Sequence, residues 1–151
     1  MPARMAHENE RMTDDIACQI IRGEIPGEVV ARTDRAIAFL DHRPVFLGHT
    51  LVCPLQHVLT LPELPADEIV PLFSLVQRVA AAMVDTLGAQ GSFVAVNNTV
   101  SQSVAHLHVH VVPRTKGDGL KGFFWPRKKY GDEGQMADVA ALLRQALSAT
   151  S

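Results

Sequence analysis

Residues 101–114 read Ser101-Gln-Ser-Val-Ala-His106-Leu-His108-Val-His110-Val-Val-Pro-Arg114, with three histidines at alternate positions. A strand sends successive side chains to opposite faces, so His106, His108 and His110 share one face and Leu107, Val109 and Val111 turn to a core. On a helix the same residues would spread around the axis. The β-branched run favours a strand, which Pro113 is expected to end. Three imidazoles on one face of an apolar strand are costly without partners or chemistry.

Histidine titrates near neutral pH and serves as nucleophile, proton donor or metal ligand. The preceding loop supplies Gln102 and Ser103, short polar groups able to hold phosphate oxygens or a leaving group. A neutral imidazole attacking phosphorus forms a phospho-histidine and splits one transfer into two easier steps. Flanking histidines would orient it and offset charge in the transition state. His57 lies just past another expected strand. Alternate histidines can also chelate zinc or copper, and spacing alone does not separate that reading from a nucleophile. Surface histidines on a half-exposed strand are the third reading.

A chain of 151 residues makes one domain with a real core. We expect a loose polar tail over residues 1–13 and a single domain over 14–151. With 47% hydrophobic and 20% charged residues the composition is globular, and a net charge of −2 gives no basic field for nucleic acid. No uninterrupted apolar run reaches the roughly 20 residues of a membrane span. Cys18 and Cys53 make no disulfide scaffold, and a cytoplasmic location is the default expectation.

Along the chain, Asp14-Asp15 precede a short helical turn over residues 16–21, stopped at Gly23. Residues 29–31 and 36–40 read as strands joined by a tight turn near Thr33-Asp34, and residues 48–54 as a third. Pro65-Ala-Asp-Glu opens the longest helix, with Ile69, Leu72, Phe73, Val76, Val79, Ala80, Met83 and Leu87 on one face. Pro71 conflicts with its interior, so the helix starts later or kinks there. Gly88 and Gly91 mark its end. Residues 93–96 are the fourth strand, 97–103 a loop, and the histidine strand the fifth. Residues 114–130 form a basic loop in which Arg114, Lys116, Lys121, Arg127, Lys128 and Lys129 alternate with Phe123, Phe124, Trp125 and Tyr130. Either it grips polyphosphate or single-stranded nucleic acid, or it is a solvated loop whose aromatics pack at a dimer seam. A last amphipathic helix spans 138–147. The order suggests an α+β fold: an antiparallel sheet of about five strands, one long helix and a C-terminal helix.

His106-Leu-His-Val-His110-Val-Val resembles the signature of the histidine-triad (HIT) family, His-φ-His-φ-His-φ-φ, in its bacterial Hint-like branch. The segments Ile20-Ile-Arg-Gly-Glu-Ile-Pro26, Ala38-Phe-Leu-Asp41, Gly48-His-Thr-Leu-Val-Cys-Pro54 and Gln102-Ser-Val104 are similar to the family's, in its order. The similarity runs from Asp15 to about Trp125. It implies a nucleotide hydrolase or transferase cleaving at an α-phosphate, as a homodimer with a shared central sheet. By resemblance, His108 is the nucleophile, with His110, His106 and His57 supporting it and Gln102 and Ser103 at the phosphate and leaving group. Asp41 would hold the ribose hydroxyls, with Phe39, His42 and Asn97 also at the nucleotide. Phe39 fits a core equally well, and Asp41 a turn cap. The expected substrates are purine nucleoside phosphoramidates or related AMP derivatives. The alternatives are dinucleoside polyphosphates, a nucleotide-binding module with little turnover, or a metal-binding protein. No membrane and no specific nucleic-acid partner is expected.

The chain departs from the pattern in three places. Many bacterial members bind structural zinc through Cys-x-x-Cys and two histidines; here Asp15 stands at the first cysteine position. Asp15, Cys18, His57 and His106 can still offer four ligands, but losing a thiolate should weaken the site. We therefore expect folding without metal and no cofactor in catalysis. The loop 97–102 is short, and Ser101 stands where a glycine normally precedes the glutamine. The chain also continues well past Trp125.

Overall fold

The computed structural model describes residues 15–120 and 127–149. The expected tail over 1–13, and Lys121, Phe123, Phe124 and Trp125 of the basic loop, lie outside the described residues. The chain divides into two units, one reaching Asp118 and one starting at Gly119.

The first unit runs α1 (Ile16–Ile21), β1 (Val29–Arg32), β2 (Ala36–Leu40), β3 (Thr50–Pro54), a 3₁₀ turn (Leu61–Glu63), α2 (Ala66–Leu87), β4 (Gly91–Ala95) and β5 (Val109–Arg114). Its strands form one antiparallel sheet in the order β1-β2-β3-β5-β4, so the α+β expectation is borne out. Asp15 caps α1, its Oδ1 accepting from the Cys18 amide at 3.1 Å. Thr33 closes the β1–β2 turn, its amide donating to the Ala36 carbonyl at 2.8 Å.

The period of two along each strand sorts the core into two layers. Ala36, Ala38, Val52, Leu107, Val109 and Val111 pack with Leu72, Leu75, Val76, Val79 and Met83 of α2. On the opposite face Ile37, Phe39 and Cys53 pack with Ala17 of α1. The histidines belong to this second face: Phe39 pairs with Leu51, and Leu51 with His110, in one row across three strands.

The fifth strand begins at Val109 rather than His106. β3 pairs with β5 only through Val109–Val111, and upstream the Leu107 amide donates to the Val58 carbonyl at 2.7 Å instead. The expected alternation still holds through Leu107, Val109 and Val111. Pro113 does not end the strand, which continues to Arg114. With β3's pairing finished at Val111, the missing Pro113 N–H costs no bond on that side.

α2 does not start late: it begins at Ala66 with Pro71 inside it, where the ring forgoes one main-chain bond. Leu75 joins its buried stripe, whereas Ile69 and Leu87 are 44% and 56% exposed. A helix of 22 residues is roughly 33 Å long, against about 20 Å for the longest strand beneath it, so its ends overhang. By length and composition alone α2 could cross a membrane. Its stripe packed on the sheet is instead that of a core helix. Gly88 ends it in the left-handed conformation, with φ 69°.

The second unit contains α3 (Glu133–Ser148). It starts earlier than the apolar pattern from Asp138 suggested, because Asp132 caps it. The Asp132 carboxylate accepts from the Gln135 amide at 2.8 Å, and the Gln135 side chain accepts in return from the Gly131 amide. Together these two bonds fix the first turn.

Candidate active site

The tautomers of the histidines follow from their partners. His108 Nδ1 lies 2.7 Å from the His106 carbonyl oxygen, which only accepts, so Nδ1 carries the proton and Nε2 keeps a lone pair. The Val45 amide donates to His49 Nδ1 at 3.1 Å, which puts the His49 proton on Nε2. His49 Nε2–H then donates to His110 Nδ1 at 3.0 Å, so His110 carries its proton on Nε2. The His108 and His110 rings meet edge to face at 4.9 Å between centroids. The pair thus presents one basic nitrogen on His108 beside one N–H donor on His110.

Both rings line a cavity of about 890 Å³, together with Phe39, Asp41, His42, Leu51 and Ser103. Ile16, Ile20 and Ile25 give it an apolar wall, and Glu28 and Arg43 add charge. Phe39 serves as both core and wall, being 4% exposed and in the α1-side cluster. Asp41 is both turn cap and cavity residue: Oδ1 accepts from the Arg43 amide at 2.9 Å, and Oδ2 stands 3.8 Å from His49 Nδ1. His49 had no expected role. Alternation along β3 puts it on the face of Leu51, the His110 partner, which is the signal that could have found it.

Gln102 and Asn97 are not among the residues lining this cavity. The Gln102 amide donates to the Leu59 and Val104 carbonyls at 2.7 and 3.0 Å, and its oxygen accepts from the Thr99 amide at 2.9 Å. It latches the loop on which Ser103 reaches the cavity. Asn98 accepts from the Leu61 amide at 2.7 Å. Thr99 and Ser101 take left-handed conformations with φ 68° and 60°. That gives the departure at Ser101 its physical meaning, since glycine takes this conformation at no steric cost. Ser101→Gly should therefore raise stability by up to about 1 kcal/mol without moving the loop, read as a shift in urea midpoint at constant slope.

A second cluster lies beneath. Asp15 Oδ2 is 3.1 Å from both His57 Nδ1 and His106 Nδ1, and those nitrogens are 3.2 Å apart. Cys18 Sγ is 3.4 Å from each nitrogen. His106 Nε2 donates to the Pro54 carbonyl at 2.9 Å, so its Nδ1 turns a lone pair inward. Ligands of one tetrahedral zinc stand roughly 3.3–3.6 Å apart, and these separations come within a few tenths of an ångström of that spacing. Burial alone would raise the Asp15 carboxyl, but hydrogen bonding within the cluster outweighs it and holds it at about 2.

Burial first, then the neighbouring His108 and His49 charges, push the His110 imidazole from its ordinary 6.5 down to about 4; burial likewise lowers His49. Between these values the unfolded chain binds more protons than the folded one, so stability is full above about 6.5 and falls as pH drops toward 4. After allowance for solvent around a half-buried ring, His110 should account for a loss on the order of 2 kcal/mol. Urea denaturation across that window should show the decline, and His110→Gln should flatten it.

Comparison with known proteins places this geometry among relatives. A model of the HIT domain matches residues 22–117. An uncharacterized HIT-like protein of Methanocaldococcus jannaschii is 40% identical over 106 residues, 69% of this chain and 81% of that protein. The adenosine 5'-monophosphoramidase of Schizosaccharomyces pombe is 34% identical over 113 residues, 74% of this chain and 82% of that protein. A zinc-bound histidine-triad family protein from Mycobacterium smegmatis superposes with a TM-score of 0.69 at 31% identity, covering 89% of this chain and 99% of that one.

Proposed function

The chain belongs to the histidine-triad (HIT) family, and from that premise we propose that it hydrolyses purine nucleoside phosphoramidates or related AMP derivatives through a nucleotidyl intermediate on His108. The observation that carries this reading is the lock of His108 Nδ1–H on the His106 carbonyl, which leaves Nε2 as the nucleophile in the cavity. The activity of the fission-yeast relative supports the substrate class.

In the first step the Nε2 lone pair of His108 attacks the α-phosphorus, an N–P bond forms, and the bond to the leaving amine breaks. The Nε2–H of His110 faces the same space and donates to a phosphate oxygen as charge builds on it. Ser103 holds the leaving group, which takes a proton from solvent as it departs, and the water of the second step returns one to solvent. Water then attacks phosphorus, the N–P bond breaks, and AMP and free His108 are restored. His49 is a positioning residue: it fixes the His110 tautomer and touches no substrate. Asp41 accepts from the ribose hydroxyls, and the apolar wall of the cavity takes the base.

Zinc, which the Mycobacterium smegmatis protein holds, fits the Asp15, Cys18, His57 and His106 donors. There it would have a structural role, tying α1 to the segment that enters β5. A homodimer is part of the same reading. β4 is a sheet edge with no strand partner beyond it among the described residues, and Val94 on it is 43% exposed. A second copy adding its own β4 would continue the sheet. The reading also includes a cytoplasmic setting, which suits two buried free thiols.

A turnover panel tests the proposal. Adenosine phosphoramidate should be cleaved in preference to diadenosine polyphosphates, and intact-mass spectrometry should catch the protein carrying one AMP. Nucleotide binding without turnover of any substrate would make the chain a binding module. Preference for the polyphosphates would reassign the substrate class.

A further inference from the structure

The large cavity carries one side chain of each charge, Glu28 and Arg43. From their placement we infer that these two residues read the purine base and make guanine the preferred one, Glu28 accepting from N1–H and the 2-amino group and Arg43 donating to O6. The inference rests on the nucleotide reading above and goes past it, because that reading leaves the choice of purine open.

Placement comes first. His110, Leu51, Phe39 and Val29 form one row across four strands, so three strand spacings, about 14 Å, separate its ends. Glu28 immediately precedes Val29, and its carbonyl accepts from the Leu40 amide at 3.0 Å. Arg43 stands two residues past Asp41, and its amide donates to Asp41 Oδ1 at 2.9 Å. Phosphate at His108, ribose at Asp41 and base against the isoleucine wall follow that row away from the histidines. Glu28 and Arg43 thus flank Asp41, where the base leaves the sugar.

Both main chains are held while both side chains are free to reach. The Val29 amide donates to the Gly27 carbonyl at 3.1 Å. A Cβ at Gly27 would stand 3.0 Å from Ile20 Cγ2, so glycine lets the segment before Glu28 lie close to the apolar wall. The Glu28 carboxylate and the Arg43 guanidinium are exposed and make no hydrogen bond or ion pair among the described residues. They do not neutralise each other, and a ligand between them can engage both.

The chemistry of the two purines then decides. Guanine offers two adjacent donors, N1–H and the 2-amino group, beside the acceptor O6. A carboxylate accepts both donors in parallel, and a guanidinium donates to O6. Adenine turns a lone pair outward at N1 and carries an amino group where guanine has O6. It gives Glu28 one bond next to a repelling lone pair and sets a donor against Arg43. Polar groups left unpaired reject the wrong base more strongly than an apolar wall selects the right one.

Calorimetry of the full-length protein with GMP, IMP and AMP tests this without requiring turnover. GMP should bind at least about tenfold tighter than AMP. IMP should fall between them, since it keeps N1–H and O6 but lacks the 2-amino group. Glu28→Gln should weaken GMP about tenfold and tighten AMP, because the new amide accepts from N6–H and donates to N1. Arg43→Met, which keeps the main-chain bond to Asp41, should weaken GMP and IMP alike. The phosphoramidates of guanosine and adenosine should differ in the same order, through KM rather than kcat. Equal affinities for GMP and AMP, a preference for AMP, or a GMP preference that survives both substitutions would overturn the base assignment and leave nucleotidyl transfer standing. Failure to bind any of the three nucleotides would overturn the nucleotide reading itself.

Discussion

His108→Asn should lower kcat/KM for an adenosine phosphoramidate by at least about a thousandfold while AMP binding and the melting temperature stay near wild type. Asparagine is smaller and polar, and its amide still reaches for the His106 carbonyl that His108 Nδ1 meets at 2.7 Å. What it lacks is a basic nitrogen on the cavity side. Covalent catalysis stops there, because no second group stands where that lone pair was; His110 offers a proton in its place. The residual rate would come from binding and from phosphate stabilisation by His110 and the loop. Initial rates combined with calorimetry of AMP separate the two effects. A variant keeping more than about a hundredth of wild-type activity would end the covalent assignment.

Asp41→Ala should weaken AMP binding by roughly ten- to a hundredfold, the loss of a charge-assisted pair worth about 1.5–3 kcal/mol. The carboxylate also accepts from the Arg43 amide and stands near His49, so truncation disturbs a turn as well. 2',3'-Dideoxy-AMP resolves the ambiguity. It has no hydroxyls to lose, so its affinity should change little, whereas damage to the turn would weaken both ligands alike. Equal losses by calorimetry would leave Asp41 as a turn residue only.

The alternation of His106, His108 and His110 was enough to read the strand face, and Leu107, Val109 and Val111 do pack in the core. Asp15 as a cap was legible from acids before an apolar hexamer. The start of α3 was not, since it is set by Asp132 and Gln135 rather than by apolar period. Nor was the true entry of β5, which depends on how far β3 extends beside it, a matter of pairing. Gln102 shows the same limit: an amide in a polar loop suits phosphate, yet three main-chain partners claim it. For His49, alternation could give the face, but its role lies in a bond to a residue 61 positions away. Residue types announce which chemistry is possible, and long-range partners assign it.

The acceptor that sets the His108 tautomer is a main-chain oxygen. No amino-acid replacement can delete it, because every residue at position 106 brings the same carbonyl. Point mutation can therefore remove the His108 imidazole, crowd it or change its neighbours, but it cannot turn the ring round while the chain keeps its path. Reactivity at this nitrogen is a property of the backbone trace. Anyone wishing to retune it must reshape the turn before β5 rather than exchange a side chain.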